Sequence, residues 1–173
     1  MKIVLIGYMG SGKSAVGKQL ASKLQILFKD LDNEIEILEG NSIPQIFSDK
    51  GEIYFRKNER DVLIDILTAE KNLVLATGGG TPCYSDVMNL LISDKDIITI
   101  YLASSLDILT DRIFSKKFNR PLISHLTTKE GLKEFIAKHL FERSQFYNQA
   151  LYTLRTDSFT IEEVVKEIIL KLN

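Results

Sequence analysis

The segment GYMGSGKS, residues 7–14, is the most informative pattern in this chain of 173 residues. It matches G-x-x-x-x-G-K-[ST], the pattern of a loop that binds the phosphates of a nucleotide. An apolar segment precedes it and a segment with helical periodicity follows it, which is the context that such a loop requires. Its glycines let the backbone approach phosphate oxygens, and the amides of the following helix N-terminus attract anions. The segment therefore predicts a nucleoside triphosphate site between a strand and a helix.

Apolar segments of strand length recur along the chain. Helical patterns separate these segments, which cover residues 2–6, 26–29, 73–76, 97–102 and 151–155. The alternation predicts an α/β fold with three layers, α/β/α, around a central, mostly parallel five-stranded sheet. The last helix is predicted to begin at Thr160, because Thr160 and Glu163 have the spacing of a capping box.

Two segments do not fit this alternation. Residues 33–71 are charged and interrupted by glycines and a proline, which predicts two or three helices inserted after the second strand. Residues 114–128 are basic and broken by a proline, which predicts a mobile loop. We interpret the whole chain, 1–173, as one domain with an acceptor-binding insertion at about 31–61 and a lid at about 111–128.

Composition limits the classes of protein to which the chain can belong. Its net charge is −1, whereas nucleic-acid-binding domains normally carry a basic excess. The single cysteine, Cys83, excludes an internal disulfide and is expected to pack as a small residue in a reducing compartment. No apolar run approaches the ~20 residues of a membrane helix, and the N-terminus has no signal-peptide pattern. We therefore expect a cytoplasmic protein that binds neither nucleic acid nor membranes and, because no spare apolar face is evident, a monomer.

Missing motifs narrow the class of nucleotide-binding protein. A GTPase switch needs an N-K-x-D or T-K-x-D motif to recognise guanine, and the nearest match, residues 128–131 (TKEG), lacks the aspartate. A motor ATPase is usually longer and couples hydrolysis to a partner. The remaining class is a small kinase with a small-molecule acceptor, in which the two unusual segments supply an acceptor pocket and a lid that excludes water.

Asp30 and Asp32 follow the second predicted strand. Because ligand sites in parallel α/β sheets lie at the carboxyl ends of strands, we expect both carboxylates beside the phosphate loop. One can hold Mg²⁺, directly or through water, and the other can accept a proton from an acceptor hydroxyl. The alternative is an acidic loop in which Asp32 caps the next helix, and capping is compatible with function.

Four further groups of residues have both a functional and a structural interpretation. The charged residues of 51–60 alone are typical of a solvated helix face. Three consecutive glycines, 78–80, follow a strand and indicate either backbone lying against a ligand or a plain turn. A basic loop from Arg112 to Arg120 is either solvated or closes over a transferring phosphoryl group. Arg143, on a predicted helix, is typical of a surface charge when taken alone.

Taken together, these residues resemble the shikimate kinase family over essentially the whole chain. The family's motifs occur in order and at suitable spacing: GYMGSGKS at 7–14, DLD at 30–32, GEIYFRKNE at 51–59, GGG at 78–80, RPL at 120–122, and Arg143 with Tyr147. The combination of motifs, rather than the phosphate loop alone, carries the resemblance. It implies an enzyme that uses ATP to phosphorylate the 3-hydroxyl of shikimate, a step toward chorismate and the aromatic amino acids.

The resemblance also implies roles for individual residues. The residues implied to bind the phosphates of ATP are Gly10, Ser11, Gly12, Lys13, Ser14, Ala15 and Arg120. The residues implied to bind shikimate, with the two arginines on its carboxylate, are Asp32, Arg56, Gly79 and Arg143. The implied catalytic residues, a general base and two cations that stabilise the transferring phosphoryl group, are Asp32, Lys13 and Arg120. One Mg²⁺ ion is implied to accompany ATP at Ser14 and Asp30.

Two alternatives to this function stay open on the sequence. A gluconate kinase would also bind a carboxylate and several hydroxyls, although the triple glycine and the RPL motif favour shikimate. A regulatory module that binds ATP without transferring phosphate is disfavoured, because both aspartates, Lys13 and Arg120 are retained.

Two parts of the sequence have no assigned chemistry. No adenine contact is assigned in residues 155–160, where no arginine can be aligned with the family pattern. Tyr8, Met9 and Ser11 are interpreted as loop residues that contribute only their backbone amides.

Overall fold

A five-stranded parallel sheet forms the centre of the fold in the computed structural model, which describes residues 1–115, 126 and 128–172. The strands are β1 Lys2–Ile6, β2 Leu27–Asp30, β3 Leu73–Ala76, β4 Ile97–Ala103 and β5 Tyr152–Arg155. Their order across the sheet is β2-β3-β1-β4-β5, and each neighbouring pair is parallel. The sheet confirms the predicted α/β fold, and its strands begin and end within one residue of the predicted positions.

Helices cover both faces of the sheet. Within the described residues they are α1 Lys13–Leu24, α2 Leu31–Glu39, α3 Ile43–Ala69, α4 Val87–Ser93, α5 Leu106–Phe114, α6 Lys129–Tyr147 and α7 Ile161–Leu172. Helices α1 and α7 contribute to the apolar cluster on one face, and helices α2 to α6 contribute to the cluster on the other. This is the three-layer α/β/α arrangement predicted from the sequence.

The central strand β1 has a continuous apolar sequence because it is covered on both faces. Ile3 and Leu5 belong to the cluster beneath α1 and α7, whereas Val4 and Ile6 belong to the cluster on the opposite face. All four side chains are fully buried. Because side chains alternate along a strand, a central strand covered on both faces needs apolar residues at consecutive positions. The phosphate loop therefore starts from a fully buried part of the sheet.

The predicted insertion after β2 consists of two helices, α2 and part of α3. Helix α3 bends at Gly51, whose φ of 79° and ψ of 171° lie outside the helical region. The carboxylate of Glu39, at the end of α2, accepts hydrogen bonds from Lys50 Nζ at 2.6 Å and Tyr54 Oη at 2.8 Å, one on each side of the bend. This contact connects α2 to both parts of α3, and the part after the bend carries Arg56.

The structure corrects the start of the predicted lid, 111–128. Helix α5 covers the first four of these positions, so the placement of Arg112 in a basic loop was wrong. The helix continues because Leu109 and Ile113, one turn apart, are buried in the core. Arg120 lies outside the described residues, so its predicted position over the phosphoryl group stays a prediction.

Smaller features of the sequence also appear in the structure. The carboxylate of Glu163 accepts a hydrogen bond from the Thr160 amide at 2.8 Å, and the Glu163 amide donates to Thr160 Oγ1 at 3.3 Å, which confirms the capping box of α7. Cys83 is a free cysteine that packs, partly buried, against the core. Across the described part of the chain, no helix is both long enough and apolar enough to cross a membrane.

Candidate active site

The phosphate loop, residues 7–14, joins the end of β1 to the start of α1. Gly10 and Gly12 have φ values of 82° and 95°, a region that favours glycine because a Cβ is crowded there. Lys13 is buried, and its Nζ donates hydrogen bonds to the carbonyl oxygens of Gly7 at 2.8 Å and Tyr8 at 2.9 Å. The ammonium group is thereby held against a loop that ends in a helix N-terminus, where anions are stabilised.

A cleft of about 570 Å³ opens where the strands end. Residues 9–16 of the phosphate loop and α1 form one wall, and residues that end or follow β2, β3 and β5 form the others. The predicted site residues that line it are Gly10, Ser11, Gly12, Lys13, Ser14, Ala15, Asp30, Asp32 and Gly79. The fold thus brings three separate segments of the sequence to one place.

Asp30 and Asp32 have different local positions. Asp30 is the last residue of β2 and the N-cap of α2, and its Oδ1 accepts a hydrogen bond from the Asp32 amide at 3.2 Å. Asp32, which the sequence offered as a possible cap, lies in the first turn of the helix. Asp30 Oδ2 also accepts a hydrogen bond from Ser14 Oγ at 2.5 Å. The two residues predicted to hold a metal are therefore in direct contact.

The environment of Asp32 changes its acidity. Burial raises its pKa from 3.8 to about 6, and the negative charges of Asp30 and Glu59 add to the increase, while the positive charge of Lys13 opposes it. A carboxylate whose pKa lies near the working pH is a stronger base than an ordinary carboxylate and is still largely ionised. Asp32 therefore has both the position and the acidity expected of a general base.

Arg56 and Glu59 form an ion pair on α3 in which the arginine is partly buried and the glutamate is buried. Arg56 Nη1 donates to Glu59 Oε2 at 2.8 Å, and the other carboxylate oxygen of Glu59 accepts a hydrogen bond from Thr81 Oγ1 at 2.6 Å. Glu59 is only 2% exposed, whereas Glu52, which lies 3.6 Å from Arg56 Nε, has an exposed side chain. The buried carboxylate fixes the guanidinium in place and leaves its remaining donors for another group.

For Glu59, the interpretation of residues 51–60 as a solvated helix face is wrong. The sequence does contain a signal for this burial, because Glu59 lies at helical spacing from apolar residues. Phe55 precedes it by four positions and Val62 and Leu63 follow it by three and four, and all three are buried. A carboxylate in an apolar stripe is the pattern of a buried, paired charge.

The backbone at the glycines 78–80 lies close to several other groups. A Cβ on Gly78 would lie 2.9 Å from Glu59 Oε1 and 3.0 Å from Asp32 Oδ1. A Cβ on Gly79 would lie 3.0 Å from the amide nitrogen of Met9, and one on Gly80 would lie 2.6 Å from the guanidinium of Arg56. The segment therefore lies directly against the phosphate loop and the acidic and basic side chains, rather than forming an isolated turn.

Arg143 and Tyr147 approach the same region from α6. The guanidinium carbon of Arg143 lies 5.5 Å from the centre of the Tyr8 ring, and Arg143 is only partly exposed, unlike a typical surface charge. Tyr147 is fully buried, and its hydroxyl donates a hydrogen bond to the Gly79 carbonyl. Arg56 and Arg143 thus do not line the cleft itself but contact residues at its edge.

The interpretation of Tyr8 as a loop residue with no side-chain role was wrong. Tyr8 is 1% exposed, belongs to the core, and has its hydroxyl 3.4 Å from His139 Nδ1 on α6. Ser11 is also buried, and among the described residues its hydroxyl has no hydrogen-bond partner. The phosphate loop is therefore packed through its side chains as well as through its backbone.

The far end of the cleft contains residues to which the sequence assigned no adenine contact. Thr156, Phe159 and Ile161 line it, together with Arg112 of α5. Arg112 Nη1 donates to the Gly10 carbonyl at 3.2 Å, which places the guanidinium beside the phosphate loop. The sequence could indicate these residues only through the topology, because Arg112 and Phe159 are far apart along the chain but line the same cleft.

Comparison with known proteins agrees with this geometry. The family model for shikimate kinase matches residues 9–173. The chain is 46% identical to a shikimate kinase of Flavobacterium johnsoniae, covering 97% of this chain and 96% of that protein, and 42% identical to one of Aquifex aeolicus, covering 99% and 96%. A crystal structure of shikimate kinase from Bacteroides thetaiotaomicron superposes with a TM-score of 0.90 at 34% identity, covering 99% of this chain and 98% of that one.

A second solved structure, shikimate kinase from Acinetobacter baumannii in complex with shikimate, has a TM-score of 0.84 at 34% identity. The superposition covers 99% of this chain and 92% of the Acinetobacter baumannii chain. The family match and the full-length similarity lead to the same conclusion as the motifs and the cleft: the chain belongs to the shikimate kinase family.

Proposed function

We propose that the chain transfers the γ-phosphoryl group of ATP to the 3-hydroxyl of shikimate, giving shikimate 3-phosphate and ADP. The observation that carries the proposal is that Asp32, with its raised pKa, lines the same cleft as the phosphate loop. The fixed guanidinium of Arg56 lies at the edge of that cleft. A loop that can bind the phosphate donor, a candidate proton acceptor and a cation that can bind a carboxylate are therefore close together.

The nucleotide would lie along the cleft from the phosphate loop toward β5. Its phosphates would contact residues 10–15, and Lys13 would neutralise charge on the transferring group. The base would then extend toward Arg112 and Phe159, whose flat guanidinium and ring can stack on a purine. The far end of the cleft thus supplies the adenine contacts for which residues 155–160 gave no sequence signal.

The acceptor side of the site consists of Asp32, Arg56, Gly79 and Arg143. Asp32 would bind ring hydroxyls and accept the proton of the one that is phosphorylated. The two arginines would bind the carboxylate of shikimate, which their planar donor groups suit. The backbone of Gly79 would approach the ring, which the absence of a Cβ permits. Because phosphoryl transfer has a loose transition state, position and charge contribute more than strong activation of the nucleophile.

Ser14 and Asp30 fit one Mg²⁺ ion bound with ATP. Their contact provides a hydroxyl and a carboxylate oxygen, which are the donors that Mg²⁺ prefers. In the described part of the chain, no group of three or more His, Cys, Asp or Glu side chains could hold a metal. The ion would therefore depend on phosphate oxygens for its other ligands, and when bound it would offset their charge.

Two further parts of the proposal rest on the sequence: Arg120 on the family pattern, and the monomer on the lack of an evident spare apolar face. Arg120, from the predicted lid, would assist Lys13 in stabilising the transferring group. The chain would act as a monomer, although Ile37, Leu38 and Ile53 are exposed apolar side chains on α2 and α3. Sedimentation equilibrium measures that state directly, and a concentration-dependent dimer would contradict it.

The test is a coupled assay of ADP release with shikimate, gluconate, AMP or no acceptor. We expect turnover with shikimate alone and a background rate with the other three. Asp32→Asn should remove most of the shikimate-dependent rate, while Asp65→Asn, an exposed aspartate on α3, serves as the matched control. Strong turnover with gluconate but not with shikimate would overturn the proposal.

A further inference from the structure

We propose that Tyr147 is a positioning residue that holds the Gly79 peptide in the orientation that binds the acceptor. The inference rests on the proposed function, because Gly79 is one of its shikimate-binding groups. It goes further by assigning the alignment of Gly79 to a single buried hydroxyl, which contacts neither substrate in the proposed mechanism.

The first observation is the hydrogen bond itself. Tyr147 Oη donates to the Gly79 carbonyl at 2.5 Å, and the tyrosine is fully buried with its ring centre 5.1 Å from that of Tyr101. Burial raises the pKa of the Tyr147 phenol far above its usual range. The hydroxyl therefore keeps its proton and remains a donor at every pH at which the enzyme would work.

The second observation concerns what lies on the other side of Gly79. Its α-carbon faces the phosphate loop so closely that a Cβ would be 3.0 Å from the Met9 amide nitrogen. Gly79 is thus held between the loop and the Tyr147 hydroxyl. A small rotation of its peptide would break the hydrogen bond or move the chain into the loop, so the two contacts together select one orientation.

The orientation of this peptide determines the direction of the next amide. In a trans peptide the carbonyl and the following N–H point in opposite directions, and the chain contains no cis peptide bond among its described residues. A Gly79 carbonyl directed at Tyr147 therefore directs the Gly80 amide away from α6. Gly80 faces Arg56, whose guanidinium would be 2.6 Å from a Cβ at that position.

The third observation connects the hydroxyl to Arg143. Residues 143 and 147 are one turn apart on α6, so their side chains share a face of the helix. The positive charge of Arg143 lowers the pKa of Tyr147 against the larger effect of burial. The hydroxyl that donates to Gly79 is therefore carried on the same face of α6 as an arginine of the proposed acceptor site.

Packing does not account for the hydroxyl. The core around α6 needs an aromatic ring beside Tyr101, and phenylalanine would supply the same ring and nearly the same volume. A buried hydroxyl is costly without a partner, so its hydrogen bond to Gly79 is the feature that a phenylalanine would lose.

The experiment compares Tyr147→Phe with Tyr101→Phe. Each variant removes one hydroxyl from the same pair of buried rings, but only the first removes the bond to Gly79. For Tyr147→Phe we expect the shikimate KM to rise about five- to tenfold, with the KM for ATP and kcat changed less than about twofold. For Tyr101→Phe we expect all three constants to stay near the wild-type values.

Isothermal titration of both variants with shikimate, in the absence of ATP, gives a second measurement. Its stoichiometry reports the folded fraction, so a partly unfolded preparation cannot imitate weak binding. An unchanged shikimate KM and Kd in Tyr147→Phe, or an equal rise in the constants for ATP and shikimate, would overturn the inference. A wild-type enzyme that does not phosphorylate shikimate would instead overturn the proposed function.

Discussion

The phosphate loop occupies consecutive residues, 7–14, whereas the proposed acceptor side takes its four groups from α2, α3, the segment after β3, and α6. The loop offers backbone amides, and glycines at positive φ shape it. The proposed acceptor side offers three side chains and the backbone of Gly79, and buried partners hold two of these groups: Glu59, itself bonded to Thr81, for Arg56, and Tyr147 for Gly79. One half of the site is therefore encoded locally, and the other depends on contacts between distant segments.

This difference predicts which property of the enzyme a substitution in each half of the site should impair. A change in the phosphate loop should affect the chemical step, because in the proposed mechanism its groups face the transferring phosphoryl group. A change in the partners of the acceptor side should affect acceptor binding and stability together, because the same buried contacts serve both. The four predictions below test this contrast, beginning with the largest expected effect.

Lys13→Ala should lower kcat by about 10²- to 10³-fold, since a cation near developing phosphoryl charge contributes several kcal/mol to the transition state. The shikimate KM should change little, because Lys13 is not on the acceptor side. Steady-state kinetics with both substrates varied provide the measurement, and Lys18→Ala, an exposed lysine on α1, is the control. A large rise in the shikimate KM would show that the two halves are not separable.

Glu59→Gln should destabilise the protein by about 2–4 kcal/mol, because it leaves the partly buried Arg56 without its buried counter-charge. The shikimate KM should rise at the same time, since the guanidinium loses the contact that orients it. Urea unfolding and steady-state kinetics measure the two effects. Glu52→Gln is the matched control, because it removes the exposed partner of the same arginine. Similar losses in both variants would mean that burial of Glu59 is unimportant.

Asp32→Asn tests the raised pKa of about 6 through the pH dependence of stability. Between about pH 4 and pH 6 the native state keeps a proton that the unfolded chain has lost, so wild-type stability falls as pH rises through this window. The variant should therefore be more stable than wild type by about 1–3 kcal/mol above pH 6, with the gap closing toward about pH 4. The midpoints of urea unfolding, measured for both proteins across this pH range, test the predicted difference in stability.

The pH dependence of stability and the pH dependence of activity each test the role of Asp32. Parallel curves for the variant and wild type would show that the Asp32 pKa is not raised. For activity, wild-type kcat/KM should decline as pH falls below about 6, because the protonated carboxyl cannot accept the hydroxyl proton. An activity profile that stays flat down to about pH 5 would remove Asp32 from the role of base.

Ser11→Ala is expected to have the smallest effect, a gain in stability of about 0.5–1 kcal/mol. The Ser11 hydroxyl is buried without a hydrogen-bond partner among the described residues, and such a group costs free energy that alanine avoids. The urea midpoint provides the measurement. A loss of stability would indicate that the loop depends on this side chain as well as on its backbone.

The two halves also differ in how well they could be predicted. The phosphate loop, the strands and the capping box of α7 follow from short-range patterns, and the structure contains all of them. Arg112 and Glu59 were misassigned for a common reason. In each case the charged side chain was considered alone, whereas buried apolar neighbours place Arg112 on a helix and place Glu59 on the buried face of one.

The sequence by itself determined the order of strands and helices, the phosphate site and the residues that resemble a shikimate kinase. These depend on periodicity and on motifs that act within a few residues, so they can be recognised without coordinates. Only the tertiary structure decided that Glu59 faces Arg56, that Tyr147 meets Gly79, and that Arg112 lies beside the loop. Packing decides such contacts, because it brings together groups whose separation along the chain carries no information about their distance in space.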